Sequence, residues 1–368
     1  MDIFWINAAF FQAKQVLGNT GKNPAVGCII IKNNEIVGVG STSYKGRPHA
    51  EENALAMAGK KSVGSTMYLS LEPCNLKNNI NSCTKQIIRH GIKKVVIGML
   101  DPNPNTFRRG YTELKSNRIE VVFIKLQLDN FLINYSHYCS SNFNRPLISL
   151  KIASSLDGKI THAMNKKEWI TSKLAREHVQ QIRSFHNSIL VGTNTMLIDN
   201  PTLNTRIQGY KKNNFRIILD KNLKINLNSN LLKNLKKNPL IIYTSNKYDK
   251  KKYKELKKLG IEIKILAVDS KSLFSLEKIL LDLKEKNINS VLIEGGAKTA
   301  SSFLNKNYVD VMYLYKSNYF IGKGGLNMLD EVNTISKFEL YNKVSIGEDQ
   351  LEVWINKNII KNKICLQE

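Results

Sequence analysis

The run Pro48-His49-Ala50-Glu51 is followed further along by Glu72-Pro73-Cys74 and then by Cys83. One imidazole and two thiolates supply three of the four ligands of a tetrahedral zinc ion. The fourth position stays open to water, which is the make-up of a catalytic rather than a structural site. Zinc lowers the pKa of such a water from about 15.7 to roughly 7, so hydroxide is available at neutral pH. Glu51 is not needed as a ligand. In zinc deaminases a glutamate so placed carries the proton from the water to the ring nitrogen and the departing ammonia. His49 and Cys74 each fall where a strand or loop enters a helix, and helix N-termini favour anionic ligands. His-Ala-Glu or Pro-Cys alone is commonplace; the ordered set is not.

A second group of residues lies further on. Ser290-Val291-Leu292-Ile293-Glu294-Gly295-Gly296-Ala297-Lys298-Thr299 reads as a buried strand that ends in two glycines and runs straight into a helix. Backbone amides at such a helix start suit a phosphate. No Gly-x-Gly-x-x-Gly accompanies it, so a Rossmann reading is weak. Arg183 and Arg206 are suited to a bidentate grip on a sugar phosphate. Taken alone, Trp169 also allows the reading of a core aromatic, and Arg183 that of a solvated helix face.

The elements that must position these groups are legible from hydrophobic pattern. Residues 1–16 suit an amphipathic helix. Segments 26–31 and 36–41 are apolar runs joined by Lys32-Asn33-Asn34-Glu35, a hairpin. Helices are expected over 49–59 and 84–90, strands over 67–71, 94–100 and 120–124. A polar stretch, Asn142-Phe143-Asn144-Arg145-Pro146, interrupts the alternation near residue 145. It then restarts, with strands over 147–153, 188–191, 216–220, 240–244, 262–266 and 290–294 and helices over 173–185, 250–259 and 273–286. A helix from about residue 299 and closing strands over 309–315 and 351–355 follow. The expectation is an α/β protein of two layered domains, 1–145 and 146–368.

At 368 residues both domains can bury a core. With 42% hydrophobic and 23% charged residues the composition is that of a globular protein. No apolar run is long enough for a membrane span, and Asp2, Asn7 and Gln12 in the opening helix argue against a secretory signal, so the expected compartment is the cytoplasm. The odd, scattered set Cys28, Cys74, Cys83, Cys139 and Cys365 does not form a disulfide framework. The net charge of +25 invites a nucleic-acid reading. Its spread over both halves, in a chain rich in lysine, asparagine and isoleucine throughout, favours a compositional bias instead. Phosphorylated ligands add a mild electrostatic reason for it.

The zinc-type residues resemble the cytidine-deaminase superfamily. Eight residues separate Cys74 from Cys83, against two in the nucleic-acid deaminase pattern. That longer loop resembles the deaminase half of the bifunctional riboflavin-synthesis enzymes. Asn23-Pro24-Ala25-Val26-Gly27, Gly46-Arg47-Pro48-His49-Ala50-Glu51 and Asp101-Pro102-Asn103-Pro104 are similar to that family's landmarks. The second half agrees through Leu150-Lys151-Ile152-Ala153-Ser154-Ser155-Leu156-Asp157-Gly158, Trp169-Ile170-Thr171-Ser172, Gly192-Thr193-Asn194-Thr195 and Asp199-Asn200-Pro201-Thr202-Leu203. The resemblance spans almost the whole chain. It implies a cytidine-deaminase-like three-layer domain followed by a dihydrofolate-reductase-like domain, one zinc ion, NADPH and a homo-oligomer. By position, Asn23 would contact the pyrimidine. Ala153, Trp169, Thr195, Asp199, Gly296, Ala297, Lys298, Thr299, Ala300, Ser301 and Ser302 would touch the nicotinamide cofactor. Lys167, Arg183, Leu203, Arg206 and Glu294 would hold the substrate.

There is one clear departure. The family's His-His-Gly-Arg-Thr-Pro-Pro run between the cysteines is replaced by Asn75-Leu76-Lys77-Asn78-Asn79-Ile80-Asn81-Ser82, where Lys77 offers a substitute cation, and Arg108-Arg109-Gly110 shifts the family's glycine spacing. The resemblance implies hydrolysis of the ring amine of a diaminopyrimidinone ribosyl phosphate, then reduction of ribosyl to ribityl. Lys151, Asp199 and Glu294 are each candidates to protonate the developing amine. The competing readings are a nucleic-acid or nucleoside deaminase with a basic accessory domain, and a non-catalytic binding descendant. The first requires a second half without a cofactor site. The second requires the loss of a zinc ligand or of Glu51, and all four residues are present.

Overall fold

A computed structural model describes residues 1–75, 81–124, 127–161, 169–208, 213–270 and 273–359. Element counts below refer to these residues. They divide into two compact units, Met1–Pro146 and Leu147–Ile359.

The first unit runs α1 (Asp2–Gln15), β1 (Gly27–Lys32), β2 (Glu35–Ser41), α2 (Ala50–Ala58), β3 (Thr66–Leu69), α3 (Cys83–Arg89), β4 (Lys94–Ile97), α4 (Arg109–Ser116), β5 (Glu120–Phe123), α5 (Leu128–Ile133) and α6 (Tyr135–Asn142). The sheet order is β2-β1-β3-β4-β5. β1 pairs antiparallel with β2 and β3, whereas β3, β4 and β5 are mutually parallel. The hairpin closes through Asn33 and Asn34, both at positive φ (51° and 64°), the turn whose twist matches the flanking strands. Asparagine tolerates that conformation better than other residues with a side chain. The buried side of α1 is Ile6, Ala9, Phe10 and Ala13.

α2 lies against β1 and β2 at a distance only glycine permits. A Cβ on Gly40 would stand 2.1 Å from the Ala50 carbonyl oxygen and 2.6 Å from the Ala54 nitrogen. The Asn53 side chain completes the seam, donating to the Ser41 carbonyl (2.8 Å) and the Ser43 hydroxyl (2.9 Å).

The second unit runs β6 (Leu147–Ser154), β7 (Lys159–Thr161), α7 (Lys173–Ser184), β8 (Ser188–Gly192), α8 (Thr193–Asp199), β9 (Phe215–Leu219), β10 (Leu240–Thr244), α9 (Lys250–Lys258), β11 (Glu262–Ile265), α10 (Leu276–Glu285), β12 (Ser290–Ile293), α11 (Ala297–Asn305), β13 (Val311–Lys316), β14 (Leu326–Asn327), β15 (Phe338–Ile346) and β16 (Asp349–Asn356). Its main sheet has the order β11-β10-β9-β8-β12-β6-β13-β16-β15. All pairs from β11 to β13 are parallel, and β16 and β15 close one edge antiparallel. β8 and β10 are buried at every residue, as strands covered on both faces must be. One core forms around Ile148, Leu150, Val291, Ile293, Ile279, Leu283 and Phe303, and a second around Ile189, Val191, Ile218, Ile242 and Leu256. Each fully buried aliphatic side chain contributes about 1.5–3 kcal/mol.

Several elements lack a clear sequence pattern. α4, α5 and α6 fall in 101–145, where only β5 is periodic enough to read, and β7, β14 and α8 are too short. β15 alternates weakly because one face is solvated throughout, with burial intermediate at best.

The Gly40 contact makes a direct prediction. Gly40→Ala forces α2 away from the sheet and lowers stability by about 1–3 kcal/mol, the usual cost of overpacking. Thermal unfolding reads this as a lower Tm, and because His49 caps that helix, metal analysis of the purified variant gives less zinc per chain than wild type.

Candidate functional site

His49 is the N-cap of α2, and Glu51 sits in its first turn. The entry is fixed by Glu52, whose carboxylate accepts the His49 amide (2.6 Å) and the side chains of Arg47 (3.4 Å) and Gln86 (3.2 Å). Cys83 opens α3 and Cys74 follows β3. His49 Nδ1 is 3.2 Å from Cys83 Sγ and 3.8 Å from Cys74 Sγ, and the three ligand atoms lie within 4.8 Å of one another. His49 Nε2 faces Asn23 Nδ2 at 3.4 Å. Asn23 is held by donating to the Gly46 carbonyl (2.7 Å), and Gly46 has φ of 98° with Asn23 so close that a Cβ would stand 2.6 Å from its amide nitrogen.

The donor set fits zinc in number and softness. Hydrogen bonding from Cys83 holds the Cys74 thiol well below the usual range, and His49 adds to this, so the thiolate is at hand. Cys83 is pushed up in turn by Cys74 and by burial. Glu51 is 3% exposed, and burial next to the Cys74 charge raises its carboxyl to about 7. A carboxyl poised there can both take and give a proton near neutrality.

Glu72, two residues before Cys74, was not singled out by sequence. Buried, it accepts the backbone amides of Asp101 (3.2 Å), Arg108 (3.1 Å) and Tyr111 (3.0 Å). It therefore ties the 101–111 segment to the stretch after β3 that leads into Cys74. Gly110 packs there with its would-be Cβ 2.2 Å from the Pro73 carbonyl oxygen, which accounts for a glycine at that position. Asp101 is itself held by His137 (3.0 Å) and the Thr106 hydroxyl. Cys28 and Cys139 are buried. Lys77 lies outside the described residues, as does Lys167.

In the second unit the glycine pair ends β12 and Gly296 caps α11. The Gly296 amide is taken by Thr195 Oγ1 (3.0 Å), so the first amide of the helix holds α8 in place and is not left to a ligand. Thr299 fills the space over both glycine-ended strands: a Cβ on Gly192 would be 2.4 Å from its Oγ1, and one on Gly295 2.8 Å from its Cβ. Thr195, Asp199, Gly296, Ala297, Lys298, Thr299 and Ser302 line a cavity of about 760 Å³, large enough for a dinucleotide.

Two residues of the expected stretch do not face this cavity. Ala300 is 1% exposed in the core, and Ser301 is buried and accepts the Asp330 amide (2.9 Å), because helical periodicity turns both inward. Ala153 is on β6, half-buried, and Trp169 is exposed beneath the Arg176 guanidinium (4.6 Å to the ring centroid); neither belongs to the same cavity wall. Missed by sequence were Lys159 and Lys221, which do line it. Lys221 lies two residues past the carboxyl end of β9, where open α/β sheets place ligands, and that position was the available signal.

Arg183, expected to hold the substrate together with Glu294, is paired with that same residue. Nε and Nη2 bind Glu294 at 2.6 and 2.9 Å, and Nη1 donates to the Asn204 carbonyl (2.9 Å). The pair is buried, and paired burial is what a charge on the inner face of a helix requires. Burial pushes the Glu294 carboxyl up, but the charges of Arg183 and Lys151 outweigh it and hold it below the usual range. Burial lowers the Lys151 ammonium, which Glu294 and Asp199 partly restore. Arg206 reaches the Thr202 hydroxyl (3.0 Å), and Leu203 is buried at φ 47°.

These two sites define a zinc-dependent deaminase fused to a reductase. Residues 2–99 match the family model of the cytidine and deoxycytidylate deaminase zinc-binding region, and residues 146–351 that of the RibD C-terminal domain. The riboflavin biosynthesis protein RibD of Aquifex aeolicus is 35% identical over 95% of this chain and 97% of its own, and that of Buchnera aphidicola subsp. Baizongia pistaciae 31% over 95% and 96%. Among solved structures, the diaminohydroxyphosphoribosylaminopyrimidine deaminase/5-amino-6-(5-phosphoribosylamino)uracil reductase of Thermotoga maritima is similar with a TM-score of 0.83 at 32% identity, covering 97% of this chain and 99% of that one. Acinetobacter baumannii RibD gives 0.84 at 29% identity, covering 96% and 98%. The chain belongs to the RibD family of bifunctional riboflavin-biosynthesis enzymes, with a zinc-dependent deaminase half and an NADP-dependent reductase half.

The buried charge cluster yields a test. Glu294→Ala leaves Arg183 and Lys151 without their carboxylate and destabilises the second unit by about 3–5 kcal/mol. Arg183→Met with Glu294→Leu recovers most of the lost Tm. Because the folded Glu294 carboxyl is depressed, its contribution is fully present above the ordinary glutamate pKa of about 4.3 and is lost as pH falls through the lower folded value. Acid titration of unfolding free energy should show this component in wild type and not in the double variant.

Proposed function

We propose that residues 1–145 hydrolyse the ring amine of a diaminohydroxyphosphoribosylaminopyrimidine, and that residues 146–368 then reduce its ribosyl group to ribityl. The observation that carries the first step is the His49, Cys74 and Cys83 triangle with Glu51 buried beside it. His49, Cys74 and Cys83 hold the zinc. The metal supplies a water acidified to near neutrality. Glu51 takes a proton and returns it to the ring nitrogen and the leaving ammonia, a role its raised pKa suits. Asn23, fixed by Gly46, orients the pyrimidine.

In the second unit, NADPH supplies the hydride that reduces the ring-opened imine at its anomeric carbon. Thr195, Asp199, Ala297, Lys298, Thr299 and Ser302 hold the cofactor, with Ala153 and Trp169 toward the nicotinamide. Arg206 grips the substrate phosphate, with Leu203 and Lys167 beside it. Arg183 keeps Glu294 ionised and in place. Lys151, Asp199 and Glu294 surround the place where the amine must be protonated, and each is a candidate for that role. The 2′-phosphate falls to Lys221. β9 lies two strands from β12, or roughly 10 Å at 4.8 Å per strand, on the side of α11 away from β6 and Ala153. Asp220, the acid at that strand end, is buried and spent on the Ile225 amide (2.8 Å), so it does not select the unphosphorylated ribose. The substrate is a small molecule. The protein acts in the cytoplasm as a homo-oligomer without nucleic acid, and no described helix is long and apolar enough to cross a membrane.

Two measurements check this reading. Glu51→Gln lowers ammonia release by about 10²–10⁴-fold while zinc content and reduction of supplied deaminated intermediate stay at the wild-type level. Removing zinc with a chelator has the same selective effect, reversed by added zinc. In fluorescence titrations Lys221→Ala weakens NADPH about tenfold, the loss of one charge-assisted hydrogen bond, and leaves NADH within twofold. Equal weakening of both would place the 2′-phosphate elsewhere.

A further inference from the structure

Tyr313 has no role in the chemistry above, yet it stands in the same place. β13 pairs in parallel with β6, and Tyr313 is directly opposite Lys151. Paired residues in adjacent strands project from the same face. Glu294 lies one step beyond the Ile293–Leu150 pair on the other side of β6, so Glu294, Lys151 and Tyr313 form a row across three neighbouring strands. The face they share is roofed by α7. Ala175 and Val179 of that helix pack on Tyr315 and Leu351, with Tyr313 and Ala153 against them, and Arg183 is one turn further along.

The neighbouring polar groups are spoken for. The Tyr315 hydroxyl bonds His178 Nδ1 (2.7 Å), while Arg183 and Glu294 bond each other. Lys151 reaches over the Tyr315 ring, 5.8 Å from its centroid. The Tyr313 hydroxyl has no hydrogen-bond partner among the described residues. Its ring is half-buried in the packed layer, and burial raises the phenol to about 12, so it remains protonated and a donor. Among the described residues the phenol is left to water or a ligand, and it stands beside the Lys151 side chain.

We propose that Tyr313 is a substrate-contacting residue of the reductase site, its hydroxyl donating a hydrogen bond to a polar oxygen of the aminouracil ribosyl phosphate next to Lys151. The proposal rests on the reductase reading given above. It makes Tyr313 a determinant of substrate affinity rather than of hydride transfer. One neutral hydrogen bond is worth about 0.5–1.5 kcal/mol, or up to about tenfold in affinity.

Tyr313→Phe keeps the ring and removes the hydroxyl. The expected result is a KM for the deaminated substrate raised about three- to tenfold, with kcat within twofold. Calorimetric Kd for the same substrate on the NADP⁺-loaded enzyme rises in parallel, while NADPH affinity and Tm are unchanged. Tyr313→Leu adds a fall in Tm from the lost ring, which Phe at the same position restores without restoring KM. A substrate Kd unchanged by Tyr313→Phe overturns the proposal alone, as does a Tm that falls with the hydroxyl. Wild-type protein that binds no substrate overturns the reductase reading and this proposal together.

Discussion

Glu72 is buried, and its carboxylate accepts three backbone amides from residues 101, 108 and 111. The same arrangement recurs through the chain. Asp310 takes the Ile148 amide (2.9 Å) at the start of β6, Asp349 the Ser172 amide (2.8 Å) at the cap of α7, and Asp220 the Ile225 amide after β9. A buried carboxylate with a missing donor is costly, so each fixes the segment that supplies its donors. With 30 acidic residues against 55 basic ones, acid groups are the scarcer kind, and many of the buried ones serve as staples between elements distant in sequence. Lysine cannot take this role, having no acceptor.

Both sites depend on such staples. In the first unit Glu72 ties the 101–111 segment to the stretch after β3 that leads into Cys74. In the second, Glu294 binds Arg183 and so ties the end of β12 to α7. The metal triangle is kept although the run between Cys74 and Cys83 differs from the family's: His49 caps α2, Cys83 opens α3 and Cys74 follows β3.

How much was legible in the sequence followed from what each element buries. Strands covered on both faces, such as 188–192 and 240–244, are unbroken apolar runs and are found within a residue. The hairpin was legible through its two asparagines. The helices between 109 and 142 were not, because they are short and α6 has almost no amphipathic bias. At the sites, ligand chemistry was visible in residue type and order. The pairing of Arg183 with Glu294 was not legible, because sequence cannot tell which partner a guanidinium meets. Glu72, Lys221 and Tyr313 escaped because their importance lies in register and strand ends, which appear only once the sheets are assembled.

Positive-φ positions outside glycine are mostly asparagine: Asn33, Asn34, Asn144, Asn200, Asn234, Asn287 and Asn307. Glycine is kept where a Cβ would collide, as at Gly27, Gly40 and Gly110. Asparagine reaches the left-handed region with a modest strain, while a glycine in its place would leave the unfolded chain with more conformations to surrender. The abundance of asparagine is therefore partly absorbed at turn closures, where it narrows the denatured ensemble. A composition that looks indifferent to structure so lowers the entropic cost of folding at six bends of the backbone, Asn33 and Asn34 sharing one.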